Sequence, residues 1–127
     1  MNVFIDTNVL IDYMRGKDSA TIYLTERFGF LYVSIIVYME LVQGFKKKQE
    51  IQSFTELSKA LGITLVHLNK TASEICFKLF KENHHNIGIG IEDALIASSA
   101  IEANSPLATL NLKHFESLQN LELIQPY

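Results

Sequence analysis

Three acidic side chains, Asp6, Glu40 and Asp93, stand in stretches that are otherwise apolar or small. Asp6 follows the apolar run Val3-Phe4-Ile5 and precedes Thr7 and Asn8, after which residues 9–13 take helical spacing. It therefore sits where a buried strand ends and a helix begins, the edge at which open α/β sheets bind ligands. Capping of that helix by Asp6 or Asn8 accounts for the same residues. Glu40 lies within Ile35-Ile36-Val37-Tyr38-Met39-Glu40-Leu41-Val42. A buried carboxylate is costly unless paired, protonated or bound to metal. The alternative puts Glu40 on a narrow polar stripe with Gln43 and Lys47, facing water. Asp93, beside Glu92, opens a helix in which Ala94, Ala97, Ser98, Ser99 and Ala100 are small. Acids in a first turn are favourable against the helix dipole. The small residues also let such a helix lie close to neighbouring backbone. Thr109 and Asn111 mark a second strand-to-helix edge, where turn and cap roles would also explain them.

If these groups converge, the chemistry that wants them is phosphodiester hydrolysis. That reaction needs charge neutralised at the phosphate and a water made nucleophilic. Hard divalent cations do both, and they prefer carboxylate oxygens. Clustered acids without a His/Cys ligand set favour Mg²⁺ or Mn²⁺ over Zn²⁺.

The elements that would have to position these groups alternate. Short strands are expected at residues 3–5, 31–33, 63–68, 106–108 and 121–124. Helices are expected at 9–13, from Asp18 or Ser19 to about Phe28, and over 35–45, 49–61, 71–81 and 92–102. A helical turn falls at 111–115, and 82–90 reads as irregular. Strands alternating with helices imply an α/β fold with a mostly parallel sheet covered on both faces.

Length fits a single domain over residues 1–127. Apolar residues make up 48% and charged residues 20%, which excludes a disordered chain. No apolar run approaches the roughly 20 residues a membrane helix needs. No signal-peptide pattern appears, and Cys76 is the one cysteine, so a cytoplasmic location is the default expectation. The net charge of −3 argues against a broadly basic nucleic-acid binder. It does not exclude a nuclease: with three acids set aside in a metal site, the other 11 balance the 11 Lys and Arg.

At this point the pattern resembles PIN-domain ribonucleases, most closely the VapC toxins of prokaryotic toxin–antitoxin pairs. The resemblance runs through nearly the whole chain. Phe4-Ile5-Asp6-Thr7-Asn8-Val9-Leu10-Ile11-Asp12 is similar to the first family motif and Ser34-Ile35-Ile36-Val37-Tyr38-Met39-Glu40-Leu41 to the second. Asp93-Ala94-Leu95-Ile96-Ala97 is similar to the third, and Ala108-Thr109-Leu110-Asn111-Leu112-Lys113-His114-Phe115 to the fourth. Four motifs in order at the family's spacing make a specific signal. The resemblance implies a three-layer α/β/α PIN-like fold with a five-stranded sheet. It further implies an endoribonuclease dependent on Mg²⁺ (or Mn²⁺), a homodimer, and a VapB-like antitoxin that blocks the site. Asp6, Glu40 and Asp93 would be the catalytic, metal-holding acids, with Thr7, Asn8, Thr109 and Asn111 ordering them. Many relatives show an aspartate where this chain has His114. Asn111 stands where some members place a fourth acid and others an asparagine. One acid fewer fits one tightly held metal instead of two.

Among the remaining residues, Arg15, Lys46 and Lys47 are candidates for RNA phosphate contacts at the site rim, or else a solvated surface. His84 and His85 read as a solvated loop, with metal ligation the alternative, and Cys76 as core packing. Asp12 is expected to point away from Asp6, toward Arg15. Tyr13, Tyr32 and Tyr38 are expected in the core or a dimer contact. Two rival functions remain: a PIN fold that now only binds RNA or protein, and a phosphoryl-transfer enzyme using Asp6 as nucleophile. The second of these usually wants another nearby Asp, and the chain has Asn8 two residues on.

Overall fold

The computed structural model describes residues 2–26 and 29–127. The chain runs β1 (Val3–Ile5), α1 (Thr7–Met14), α2 (Asp18–Thr25), β2 (Leu31–Ser34), α3 (Ile35–Gly44) and α4 (Lys48–Leu61). It continues through β3 (Ile63–Val66), α5 (Lys70–Ile87), α6 (Ile91–Glu102), β4 (Leu107–Ala108), α7 (Leu112–Phe115) and β5 (Leu123–Ile124). The expected alternation is present, with most element ends within two residues. Phe28, expected at the end of the second helix, lies outside the described residues.

All five strands are parallel, in the order β3-β2-β1-β4-β5. The three residues of β1 are all buried, as a central strand apolar on both faces must be. The edge strand β3 leaves Thr64 and Leu65 exposed. The chain winds outward from β1 through β2 to β3, then crosses back to β4 on the other side of β1. The winding direction thus reverses between β1 and β4, and such a switch point opens a crevice at the carboxyl ends of the strands.

Register carries Asp6 to that crevice. Ile5 lies opposite Ala108, and the Asp6 amide donates to the Ala108 carbonyl at 3.0 Å, so Asp6 and Thr109 leave the sheet side by side. Caps then turn the chain. Asp6 accepts from the Thr7 amide to start α1, and Ser34 accepts from the Ile36 amide to start α3. The core joins the central strands to Val9, Leu10, Val37, Leu41, Ile96 and Phe115. Ala94, Ala97, Ser98, Ser99 and Ala100 are all buried, and α6 lies against α3, α5 and α7. Its small residues do pack it into the centre.

One segment departs from expectation. Residues 82–87 are not irregular but complete α5, which ends at Gly88 with φ 70°. No breaker precedes Gly88, Asn83 Nδ2 donates back to the Leu79 carbonyl at 2.8 Å, and His84 stacks on Phe80 one turn earlier. His84 and His85 therefore belong to the last helical turn and not to a loop. Lys48 opens α4, one residue before the expected start. Tyr13, Tyr32 and Tyr38 are partly buried against the core, as is Cys76 on α5.

Candidate active site

Asp6 is the innermost acid, 5% exposed. Its Oδ1 accepts from the Thr7 amide at 2.7 Å, and its Oδ2 from the Thr109 hydroxyl at 2.7 Å. Burial pushes its carboxyl above the ordinary range, and the charge of Asp93 adds to that push. The two hydrogen bonds and the nearby His114 pull the other way without prevailing.

Thr7 ties the first acid to the second. Its amide serves Asp6, while its hydroxyl donates to Glu40 Oε1 at 2.6 Å. Glu40 is therefore turned toward Asp6 instead of facing water along a polar stripe. Its pKa is raised to about 7, first by burial, then by a hydrogen bond shared with Glu92 and by the charges of Asp6 and Glu92, against the Thr7 bond. Asp93, in the first turn of α6, is raised by burial and by Glu92. It is pulled back by His114, whose Nδ1 stands 3.2 Å from Asp93 Oδ2.

The fourth segment acts as a frame. Thr109 is fully buried and accepts from Asn8 Nδ2 at 3.4 Å and from the Asn111 amide at 3.0 Å. Asn8 Oδ1 in turn accepts from the Leu110 amide at 3.3 Å. Among the residues expected to order Asp6, Thr109 and Thr7 touch it and Asn8 braces Thr109. Asn111 contributes its backbone amide, and its exposed side chain neither caps α7 nor reaches Asp6.

A groove of roughly 480 Å³ leads away from Glu40 between α1 and α3. Ile11, Met14, Leu41 and Phe45 give it an apolar lining, and Arg15 and Lys46 set positive charge there against Glu40 and Glu50. Lys47, expected with them, does not line the groove. It is exposed at the start of α4. Asp12 does turn away from the acids, but toward Lys17 Nζ at 3.6 Å and the Tyr127 hydroxyl at 2.8 Å, not toward Arg15. A lysine beyond the turn and a tyrosine at the far end of the chain could not be read from helical spacing.

Two residues of the site were not singled out from sequence. Glu92 had a sufficient role as a first-turn acid, yet it faces Glu40 from the opposite element. His114 registered only as a substitution, yet it is the partner of Asp93. Glu92 beside Asp93 at a helix start carried no signal for either contact.

Carboxylate oxygen donors fit a hard divalent cation. Asp6, Glu40 and Asp93 are each raised, and each feels another acid's charge, so a bound cation would relieve all three. Among the described residues no three His, Cys, Asp or Glu side chains stand close enough together to hold a metal ion by themselves. The donor set fits a cation held in part by waters, the usual habit of Mg²⁺.

A parallel sheet with acids gathered at its switch point defines a class of carboxylate-lined α/β domains. The PIN domain family matches residues 3–120. The chain is 35% identical to Ribonuclease VapC1 of Rickettsia felis over 136 residues, covering 98% of this chain and 96% of that one. It is 32% identical to Ribonuclease VapC of Rickettsia bellii over 133 residues, with the same coverage. Among solved structures it is similar to that of VapBC2 from Rickettsia felis bound to a promoter DNA fragment, with TM-score 0.81, 29% identity and 98% of each chain covered. The chain belongs to the PIN domain family, in its VapC branch.

Proposed function

We propose that this protein is a metal-dependent endoribonuclease, the toxin of a toxin–antitoxin pair. The observation that carries the reading is the convergence of Asp6, Glu40 and Asp93, from three distant segments, on one crevice. The names of the two Rickettsia relatives, both ribonucleases, support the reaction class.

Asp6, Glu40 and Asp93 would hold Mg²⁺ or Mn²⁺, which supplies charge neutralisation at a phosphate and acidity to a bound water. The chain's own residues do the rest. Thr7 and Thr109 fix Asp6 so that its two oxygens keep one direction. Glu40, held by the Thr7 hydroxyl, keeps its carboxylate turned toward Asp6. Arg15 and Lys46 offer phosphate contacts along the groove, and its apolar floor suits unpaired bases better than a duplex. A VapB-like antitoxin and a homodimer follow from the same reading, the first supported by the VapB partner of the Rickettsia structure. A cytoplasmic site of action agrees with RNA as substrate. Among the described residues, no helix is long and apolar enough to cross a membrane.

The test is cleavage of single-stranded RNA by purified protein, stripped with chelator and then resupplied with Mg²⁺ or Mn²⁺. Cleavage lost on stripping and restored by either ion supports the reading. RNA that is bound but never cut would leave a binding module instead.

A further inference from the structure

Each carboxylate of the site is gripped by donors from elsewhere in the chain, and Asp93 has the least obvious grip. Asp6 has Thr7 and Thr109, and Glu40 has the Thr7 hydroxyl. His114 is the partner of Asp93 across the site, its Nδ1 standing 3.2 Å from Oδ2, within hydrogen-bonding reach. An aspartate in the first turn of a helix is otherwise free to choose among its rotamers. The ring nitrogen facing a carboxylate carries a proton whether the imidazole is neutral or cationic, so the donor is present in both forms.

His114 is itself held, although its side chain is 58% exposed. Its amide donates to the Asn111 carbonyl at 3.1 Å, and the Asn111 amide donates to Thr109 Oγ1, which in turn binds Asp6. On the other side His114 adjoins Phe115, which is buried in the core. Residues 109–114 thus form a single brace that reaches Asp6 at one end and Asp93 at the other. Metal-ligating carboxylates are commonly held by such outer hydrogen bonds, and losing one typically costs 10–100-fold in affinity or activity.

We infer that His114 is a positioning residue: its Nδ1–H holds Asp93 through Oδ2 and leaves Oδ1 unclaimed for a divalent cation shared with Asp6. This rests on the metal-dependent reading above. The role belongs to the donor, not to the ring's charge or bulk.

Two variants separate these. His114→Phe keeps the ring and removes the donor, whereas His114→Asn places an amide N–H near the position of Nδ1. Mn²⁺ binding is measured by calorimetry on RNA-free protein, alongside thermal midpoint and steady-state cleavage. His114→Phe is expected to bind Mn²⁺ about tenfold or more weakly, with kcat falling and KM for RNA little changed, while its midpoint stays near wild type. His114→Asn should recover most of the affinity. Equal Mn²⁺ binding by His114→Phe and wild type overturns the inference, as does a His114→Asn variant as weak as His114→Phe. Wild-type protein that takes up no Mn²⁺ overturns the metal reading itself, and this inference with it.

Discussion

The Thr109 hydroxyl donates to Asp6 Oδ2 at 2.7 Å across 103 positions of sequence, with both residues buried. This bond joins the carboxyl ends of β1 and β4 at the switch point of the sheet. It offsets part of the rise that burial imposes on the Asp6 carboxyl. Thr109→Val keeps the shape and removes the donor, and the Asn111 amide loses its acceptor as well. A hydrogen bond to a charged group contributes about 1.5–3 kcal/mol, so the variant should lose roughly 2 kcal/mol in urea denaturation near neutral pH. Thr109→Ser, which restores the hydroxyl, should recover most of it. Denaturation midpoints that agree for valine and threonine would remove Thr109 from the account.

Glu40 gives the fold a pH dependence of definite sign. Its carboxyl titrates at about 7 in the folded chain against an ordinary 4.5. Between those values the folded state keeps a proton that the unfolded state has released, so stability falls as pH rises through the window. The burden is absent below the unfolded value and complete above the folded one. Asp6 and Asp93 are displaced in the same direction and add to it. Without divalent cations, wild-type protein should denature more readily at about pH 8 than at about pH 5, and Glu40→Gln should flatten that difference. A slope unchanged in Glu40→Gln would mean that Glu40 is not the strained acid.

The alternation of strands and helices was legible because β1, β2 and the helical stripes carry strong apolar periods. The acids at the first three motifs were legible because each interrupts an apolar or small-residue pattern. The length of α5 was not, since Asn83, His84, His85 and Asn86 read as loop formers until the Phe80–His84 stack and the Asn83 bond are visible. Nor was the pairing of Glu40 with Glu92, or of Asp93 with His114. Those contacts depend on how α3, α6 and α7 meet at the switch point, which no local pattern encodes. Asp12 makes the same point: its partners Lys17 and Tyr127 are chosen by where the chain's last residue comes to rest.

Arg15 and Lys46 line the groove that leaves Glu40, whereas Lys47 stands outside it. RNA affinity should therefore depend unequally on these three charges. Each lost contact to a single strand lowers the slope of log affinity against log salt by about 0.7. Arg15→Ala and Lys46→Ala should each weaken binding and flatten that slope, and Lys47→Ala should do little. Filter-binding or anisotropy titrations at several salt concentrations would measure this. Equal losses from all three would point to diffuse surface attraction and not to the groove.

The most direct test of three acids acting as one centre is cleavage of single-stranded RNA by Asp6→Asn with Mg²⁺ present, read beside its thermal midpoint. Asparagine keeps the shape and one oxygen to accept from the Thr7 amide, puts an NH2 where Oδ2 accepted from Thr109, and removes the charge. The account predicts a folded protein with a cooperative thermal transition and no cleavage above background. A folded Asp6→Asn protein that cuts RNA at the wild-type rate would contradict it.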